Sequence, residues 1–587
     1  MQELKYLNKY LFKYKWKLLL GIIITIISRI FSLFTPKLVG NSMTLIENSI
    51  LNIEQTDDDL EILLARNILI ILSASLISGF FTFLMRQTII NVSRYIEFDL
   101  KNEVYNHYQS LCSLFYKTNR TGDLMSRITE DVSKVRMYVG PAIMYSINTI
   151  TLFIIVIIFM FSISPSLTIY SLLPLPILSF TIYTLSKKIH LKSTLVQEKL
   201  AKLSTFSQEV FSGIKIIKSF NMQEIVTENF DNFSKSSKRS SISLSKVQAL
   251  FFPLMILLIG ISNIIVIYVG GNQYINGKIE IGVIAEFIIY ITMLTWPVAV
   301  VGWVTSIIQQ AEASQKRING FLKTKPSIKN YGKLLNSESS KITFKNVSFK
   351  YPETNLYALE GINFTIDSGK TLGIIGKTGS GKSSILELIT RSYDVTSGEI
   401  YLGNMSLSLY NLKSLSSFIS YVPQNSFLFS DTIQENIKFG NIKANKVEVI
   451  EVAENSSIHS DISRFKDKYE TLLGERGVNL SGGQIQRITI ARALLKKSKI
   501  LLLDDCLSSV DTKTEKNILS EIKKNKIDET VIIVSHKISS VMHADLIIVL
   551  DKGVIIEKGT HEKLLSTDGF YKKLAQKQLE NINSLKI

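Results

Sequence analysis

Residues 376–383 read Gly-Lys-Thr-Gly-Ser-Gly-Lys-Ser, and this glycine-rich loop decides the fold of the second half of the chain. The glycines allow a tight turn whose backbone N–H groups point toward the phosphates of a nucleotide. Lys382 can reach the β- and γ-phosphates, and the Ser383 hydroxyl can ligate Mg²⁺. The candidate nucleotide-binding residues here are Gly376, Lys377, Thr378, Gly379, Ser380, Gly381, Lys382, Ser383 and Ser384.

The residues on either side of the loop favour the same interpretation. Residues 371–375 read as a strand, and residues 384–389 read as the beginning of a helix. A helix N-terminus carries a partial positive charge and free N–H groups, which favour phosphate binding. The strand, loop and helix together predict a phosphate-binding unit of an α/β domain.

A second glycine-rich turn lies further along the chain, where residues 480–484 read Leu-Ser-Gly-Gly-Gln. Such a turn can present more N–H donors to a γ-phosphate. Its candidate residues are Ser481, Gly482, Gly483 and Gln484. The two turns together predict a nucleotide site that is split between two copies of one domain.

The composition indicates more than one domain and a membrane-embedded part. The 587 residues are too many for a single hydrophobic core. Long apolar runs lie within residues 1–310, whereas the remainder resembles a soluble α/β protein. The net charge is +17, but many Lys and Arg residues lie beside apolar runs, so we expect no nucleic-acid partner. Cys112 and Cys506 show neither a pairing pattern nor metal-ligand spacing, and we expect both to be reduced.

Six apolar stretches are long enough to cross a bilayer, which requires about 20 helical residues. They lie at about 17–39, 62–90, 141–163, 165–187, 248–270 and 280–307. The N-terminus and the two long polar stretches, 91–140 and 188–247, are rich in Lys and Arg. Lys and Arg residues of membrane proteins accumulate on the cytoplasmic side, so we expect both termini and both long loops in the cytoplasm. We expect the membrane to be a bacterial inner (plasma) membrane.

Polar side chains inside the spans have two interpretations. Arg29 lies in the first span, where a charge is costly unless it faces a water-filled cavity or reaches the interface. It is therefore either a substrate or gating contact, or a side chain that extends to the interface. Further cavity candidates are Glu286, Asn148, Asn263, Gln309 and Gln310. A helix–helix hydrogen bond or an interfacial position is the alternative for each of them.

Several more residues of the second half complete a nucleotide site. Tyr351 follows a strand-like run and is placed to stack on an adenine ring. Residues 500–504 read as a buried strand ending in Asp504, a carboxylate suited to hold Mg²⁺ directly or through water. Gln424 lies in a loop after another strand-like run, and His536 follows the run 531–535.

This ordered set of motifs resembles the ABC transporter superfamily over nearly the whole chain, and in particular an exporter-type half-transporter. The resemblance implies a transmembrane domain at 1–320, a linker at 321–340 and an ABC nucleotide-binding domain at 341–580. The expected fold is a membrane α-helical bundle, with six transmembrane helices and long cytoplasmic extensions, joined to an α/β P-loop ATPase domain. Short helices near 114–119 and 211–218 are expected to transmit motion by docking in clefts beside Gln424.

The resemblance also assigns roles within the site. Residues 376–383 correspond to the Walker A loop, 480–484 to the signature and Tyr351 to the adenine-stacking aromatic residue. ATP and Mg²⁺ are the implied cofactors. The implied metal-binding residues are Ser383, Gln424 and Asp504. The implied catalytic residues are Asp505, His536 as the switch histidine, and Gln424 of the Q-loop, with Asp511 in the D-loop contacting nucleotide.

Asp505 departs from the family pattern, which usually has glutamate after the Walker B aspartate. Aspartate is shorter by about 1.5 Å, and a general base must lie within about 2.6–3.2 Å of its water. The chain is therefore interpreted either as the degenerate-site half of a heterodimer or as a homodimer that hydrolyses ATP slowly. The expected function is ATP-driven export of a hydrophobic or amphipathic substrate; the alternative is a regulatory subunit or an ATP-gated channel.

Overall fold

The structure, a computed structural model, describes residues 2–51, 57–328, 330, 332, 339–474, 477, 479–525 and 529–584. The chain separates into two compact units. One comprises residues 1–110 and 121–324, and the other comprises residues 111–120 and 325–587. Part of the predicted linker 321–340 lies outside the described residues.

The first 324 residues form helices and connecting turns wherever the structure describes them. A 3₁₀ turn, Glu3–Leu7, comes first, and π-helical turns lie at Arg127–Asp131 and Tyr138–Ala142. The helices are α1 (Asn8–Lys13), α2 (Lys15–Ser32), α3 (Phe34–Ile50), α4 (Asp57–Ser110), α5 (Ser113–Thr118), α6 (Thr121–Ser126), α7 (Val132–Met137), α8 (Ile143–Ile163), α9 (Pro165–Leu172), α10 (Pro174–Ser212), α11 (Ile214–Ser219), α12 (Gln223–Gln248), α13 (Phe251–Ile275) and α14 (Ile281–Leu322).

Six helical stretches in the described residues are long and apolar enough to cross a membrane. They are Lys15–Ile50, Leu60–Ser110, Thr121–Ile163, Pro165–Ser212, Gln223–Ile275 and Ile281–Leu322. Each is between 36 and 53 residues long, more than a bilayer needs, so the stretches contain polar extensions beyond the apolar core. This confirms six spanning helices with long extensions; the bilayer boundaries within them stay predictions.

The first unit contains a close helix crossing between α3 and α14. A side chain placed on Gly282 would overlap the backbone carbonyl of Gly40, so the two backbones touch at this point. Small residues allow such close contact between helices in a membrane. Nearby, Val156, Leu167 and Phe287 are completely buried and form part of the core that surrounds α14.

The predicted short helices are present as α5 and α11. Helix α5 belongs to the second unit, although its neighbours in sequence, α4 and α6, belong to the first. Helix α11 carries apolar side chains that are largely exposed, including Ile216 at 65%, and Phe220 follows it at 73%.

The second unit contains two sheets, ten α-helices and two short 3₁₀ helices among its described residues after 325. The strands are β1 (Ile342–Lys350), β2 (Tyr357–Ile366), β3 (Thr371–Gly376), β4 (Ser397–Leu402), β5 (Met405–Ser406), β6 (Ile419–Val422), β7 (Ile500–Asp504), β8 (Thr530–Ser535), β9 (Leu546–Asp551) and β10 (Val554–Gly559). The helices are α15 (Lys382–Ile389), α16 (Leu412–Phe418), α17 (Ile433–Lys438), α18 (Lys446–Asn455), α19 (His459–Arg464), α20 (Gly482–Leu495), α21 (Thr512–Asn525), α22 (Ile538–Val541), α23 (His561–Ser566) and α24 (Phe570–Ser584).

The larger sheet places several of the predicted site residues at the carboxyl ends of its strands. Its strand order is β10-β9-β3-β8-β7-β6, and β9, β3, β8, β7 and β6 run parallel. Strands β7 and β8 are buried at every position, as expected for parallel strands covered on both faces. Ligands of open α/β sheets bind outside the carboxyl ends of the strands. Four adjacent strands here, β3, β8, β7 and β6, end at a predicted site residue or within two residues of one. The smaller sheet is antiparallel, in the order β2-β1-β4-β5.

Candidate nucleotide-binding site

The loop after β3 requires glycine at two positions. Gly379 and Gly381 have φ angles of +81° and +95°, in the region that L side chains rarely adopt. A side chain on Gly381 would also overlap the backbone carbonyl of Ala358. The loop therefore turns sharply before α15 begins at Lys382, as the sequence predicts.

The loop holds polar groups that fit an anionic ligand. Lys382 is buried, and its Nζ donates to the carbonyls of Gly376 and Lys377 at 2.9 and 2.8 Å. Burial lowers the pKa of Lys382, while the negative charges of Asp505 and Asp504 act in the opposite direction. The Ser380 hydroxyl is buried and has no hydrogen-bond partner among the described residues. A phosphate bound in this loop would satisfy the hydroxyl and compensate the buried ammonium group.

The predicted metal-binding hydroxyl and carboxylate are adjacent. Ser383 Oγ donates to Asp504 Oδ1 at 2.9 Å, and the hydroxyl of Tyr421 donates to Asp504 Oδ2 at 3.1 Å. Burial raises the pKa of Asp504, and these two hydrogen bonds oppose the shift. Because burial disfavours the charged form of the Asp504 carboxylate, a bound cation would stabilise it. The carboxylate and the adjacent Ser383 hydroxyl supply the oxygen ligands that Mg²⁺ prefers. Sequence reasoning missed Tyr421, whose signal was its place on the strand-like run just before Gln424.

Asp505 and His536 lie at the ends of neighbouring strands. The backbone N–H of Asp505 donates to the Val534 carbonyl at 2.9 Å, and Asp505 has a φ of +45°. His536 directly follows β8, and its carbonyl accepts a hydrogen bond from Gln578 at 2.8 Å. Gln424 is exposed and lies two residues beyond β6, which pairs with β7. The tertiary structure thus places these residues at the carboxyl ends of the strands, where the phosphate-binding loop also lies. Their catalytic roles stay predictions.

Tyr351, directly after β1, is attached to the helix that follows the phosphate-binding loop. Its hydroxyl lies 2.9 Å from Ser384 Oγ and donates to Glu387 Oε2 at 2.9 Å. The pKa of Tyr351 is raised to about 12, mainly by burial, so the phenol stays protonated. Its ring meets Phe349 and Tyr393 edge-on. The adenine-stacking role remains a prediction for a ring anchored beside the loop.

The signature residues form the beginning of α20. Ser481 Oγ accepts the N–H of Gln484 at 3.3 Å, and the Gln484 side chain accepts the N–H of Ser481 at 3.0 Å, which completes a capping box. Asp511 accepts the N–H of Thr514 at 3.0 Å and precedes α21. Within the described part of the chain, no hydrogen bond joins residues 481–484 to residues 376–383.

The polar candidates of the membrane spans mainly contact one another or their own helices. Arg29 Nε donates to Asn148 Oδ1 at 2.6 Å, which links α2 to α8. The Tyr290 hydroxyl donates to Glu286 Oε1 at 2.6 Å within α14. These contacts favour the helix–helix interpretation for Arg29 and Asn148. For the others, Asn263 Oδ1 is buried without a hydrogen-bond partner in the described residues, Gln309 is exposed, and Gln310 donates to Ser306 at 3.1 Å.

Comparison with known proteins gives the same family as the motifs. The family model described as "ABC transporter transmembrane region" matches residues 18–298, and the model described as "ABC transporter" matches residues 359–508. The chain is 36% identical to the multidrug resistance-like ATP-binding protein MdlA of Buchnera aphidicola subsp. Schizaphis graminum, across 95% of each chain. It is 34% identical to the ATP-dependent lipid A-core flippase of Syntrophus aciditrophicus, across 82% of this chain and 80% of that protein.

The fold also matches a solved structure of a bacterial Atm1-family ABC exporter with ATP bound. The TM-score is 0.80, with 24% identity, and the match covers 96% of this chain and 98% of that one. The two family models and the identity to relatives of nearly equal length show that this chain belongs to the ABC transporter family. It is an exporter-type, multi-pass membrane protein with an ATP hydrolase domain coupled to transport.

Proposed function

We propose that this chain, as one half of a dimer, uses ATP with Mg²⁺ to export a hydrophobic or amphipathic substrate, such as a lipid, drug or peptide. The observation that carries the proposal is that the phosphate-binding loop and the signature helix α20 are each organised, yet no hydrogen bond joins them in the described residues. A second subunit that faces the loop with its own signature would complete the site. Two such subunits related by a twofold axis would form two sites.

In the proposed dimer, both chains contribute residues to each site. The backbone of residues 376–383 and the Lys382 ammonium group bind the phosphates, and Ser383, Asp504 and Gln424 would hold Mg²⁺. A metal ion held by these residues would neutralise charge on the phosphate oxygens. Asp505 and His536 orient and deprotonate the attacking water. The Ser481 hydroxyl and the N-terminal N–H groups of α20 contact the γ-phosphate across the subunit boundary.

Closing and opening of this shared site would drive alternating access. Nucleotide joins the two ATPase domains, and hydrolysis removes that bridge, so the bundle changes between two packed states. We place both termini and the helices α5 and α11 in the cytoplasm, and the chain in the plasma membrane of a bacterium. The Lys-rich N-terminus and polar loops support this orientation. Nucleic acid is not part of the proposal, since this orientation accounts for the positive charge.

Homodimer and heterodimer both remain candidates, because Asp505 is shorter than the glutamate usual in the family. The alternative function, as a regulatory subunit or an ATP-gated channel, is supported by Asp505 alone. The relatives' names, a multidrug resistance-like protein and a lipid A-core flippase, support export of apolar or amphipathic compounds instead. These names support a class of substrate for this chain and no particular compound.

Mixed dimers test whether the site is shared. One chain carries Lys382→Ala and a different affinity tag from a second chain that carries Ser481→Arg, and sequential purification isolates the mixed dimer. Each variant alone should be inactive as an ATPase. In the mixed dimer, one site combines an intact loop with an intact signature, so we expect up to about half of the wild-type turnover.

The matched control places both substitutions on one chain and pairs it with a wild-type chain. Both shared sites of this dimer are damaged, so the proposal expects it to be inactive. The reverse pattern, with an active control and an inactive mixed dimer, would mean that each chain completes its own site.

A further inference from the structure

Helix α5 brings a segment from between two membrane helices to the neighbourhood of Tyr351. Residues 111–120 lie between α4 and α6 in sequence, yet they belong to the second unit. Leu114 of α5 packs against the same apolar core that Tyr351 packs against. The polar contacts of α5 lead to Tyr351, the adenine-binding candidate, through Glu387. Docking of α5 beside Gln424 stays a prediction.

Lys117 supplies these polar contacts. Its Nζ donates to Glu387 Oε1 at 2.7 Å and to the hydroxyl of Tyr393 at 3.2 Å. The ammonium group also lies 5.0 Å from the centroid of the Tyr393 ring, within range of a cation–π interaction. Three favourable interactions therefore hold one side chain of α5 against the domain that carries the phosphate-binding loop.

Glu387 is shared between Lys117 and Tyr351. One carboxylate oxygen accepts from Lys117, and the other accepts from the Tyr351 hydroxyl at 2.9 Å. The Glu387 side chain is only 19% exposed, so its carboxylate oxygens depend on these two partners for hydrogen bonds more than a fully solvated carboxylate would. Glu387 also lies on α15, the helix that begins at Lys382 in the phosphate-binding loop. Sequence reasoning gave neither Lys117 nor Glu387 a role.

We propose that Lys117 is a positioning residue for Tyr351, which it orients through Glu387, so that recognition of the nucleotide base depends on the docking of α5. The proposal rests on the proposed function, because it takes Tyr351 as the side chain that stacks on adenine. Loss of Lys117 would leave Glu387 without its cation and free to rotate away from the tyrosine hydroxyl. The ring would then occupy more orientations before a nucleotide binds. By linkage, base binding would strengthen the docking of α5 by the same factor.

The experiment compares a ligand that has a base with one that has none. Dissociation constants for ATP and for inorganic tripolyphosphate are measured on the full-length protein in detergent or nanodiscs, for wild type, Lys117→Met and Lys117→Arg. We expect Lys117→Met to weaken ATP binding about two- to fivefold, the range of a partly exposed ion pair, and to leave tripolyphosphate binding unchanged. Lys117→Arg, which keeps the cation, should restore most of the ATP affinity.

A double-mutant cycle with Glu387→Gln identifies the route. If Lys117 acts through Glu387, Lys117→Met should cause little further loss of ATP affinity in the Glu387→Gln background. Unchanged ATP affinity in Lys117→Met, or an equal loss for ATP and tripolyphosphate, would overturn the proposal. If Lys117→Met impaired folding, binding of ATP and of tripolyphosphate would decrease alike. The ratio of the two dissociation constants therefore separates a folding defect from a loss of base recognition. A wild-type protein that binds neither ligand would instead contradict the proposed function.

Discussion

Lengthening the side chain at position 505 should raise the ATPase activity of the purified chain. Asp505 is 9% exposed, and its backbone is fixed by hydrogen bonds to Val534 and from Ser508, at 2.9 Å each. The backbone therefore cannot move the carboxylate toward a water, and only a longer side chain can. Asp505→Glu adds about 1.5 Å of reach, comparable to the difference between a water in hydrogen-bond contact and one outside it.

General-base catalysis accelerates a reaction about 10²–10⁴-fold. An Asp505 carboxylate that reaches the water poorly would still provide part of this acceleration. We therefore expect Asp505→Glu to raise turnover about 10- to 100-fold. A cost in stability opposes this gain, because Asp505 has a φ of +45°, which Asp tolerates better than Glu. The left-handed conformation costs about 1–2 kcal/mol for an ordinary residue, and we expect a small decrease in melting temperature.

The assay is steady-state phosphate release from the purified chain in proteoliposomes at saturating ATP and Mg²⁺, with Lys382→Ala as the background. Asp505→Asn is the matched control: it should abolish the remaining activity if Asp505 already acts as a base, and change little if it does not. A Glu variant that binds ATP normally but hydrolyses no faster than wild type would refute the reasoning about length. A large gain without any second chain would support the homodimer.

Two further predictions test the packing of each unit. Gly282→Ala should cost about 1–3 kcal/mol and lower the melting temperature of the full-length protein, because the new methyl group would overlap the backbone of α3. Gly79→Ala, whose added carbon would meet open space, is its control and should be close to neutral; equal effects would contradict the close crossing. Cys112 should react with a maleimide in the native protein, and Cys506 only after denaturation, because Cys506 is fully buried and burial raises its pKa. Burial alone would raise the pKa of Cys112, but hydrogen bonds with Ser327 and with backbone groups outweigh burial and lower the pKa. Labelling of Cys112 should therefore reach half of its maximal rate at a pH below the usual pKa of a thiol. Mass spectrometry after timed labelling measures both rates, and rapid labelling of Cys506 would contradict its burial.

The sequence alone determined the structural features that depend on residues close together in the chain. The loop 376–383 needs glycines, a lysine and a serine within eight consecutive residues, so its geometry follows from local backbone freedom and helix polarity. The six spanning helices follow from apolar runs of sufficient length, since a bilayer leaves a chain few alternatives to a helix. The strands β7 and β8 could be predicted from sequence as well, because each contains a short run of consecutive apolar residues.

Only the tertiary structure decided which distant residues meet. The strand order β3-β8-β7-β6 differs from the order along the chain, and it brings Asp504, His536 and Gln424 to one edge. Lys117 and Glu387 are 270 residues apart in sequence, and Arg29 and Asn148 are 119 apart. Such pairs carry no local signal, because a side chain's partner depends on how whole elements pack and not on its neighbours in sequence. The packing of α5 against the ATPase domain is therefore what gave Lys117 a proposed role, which its place in a polar loop had not indicated.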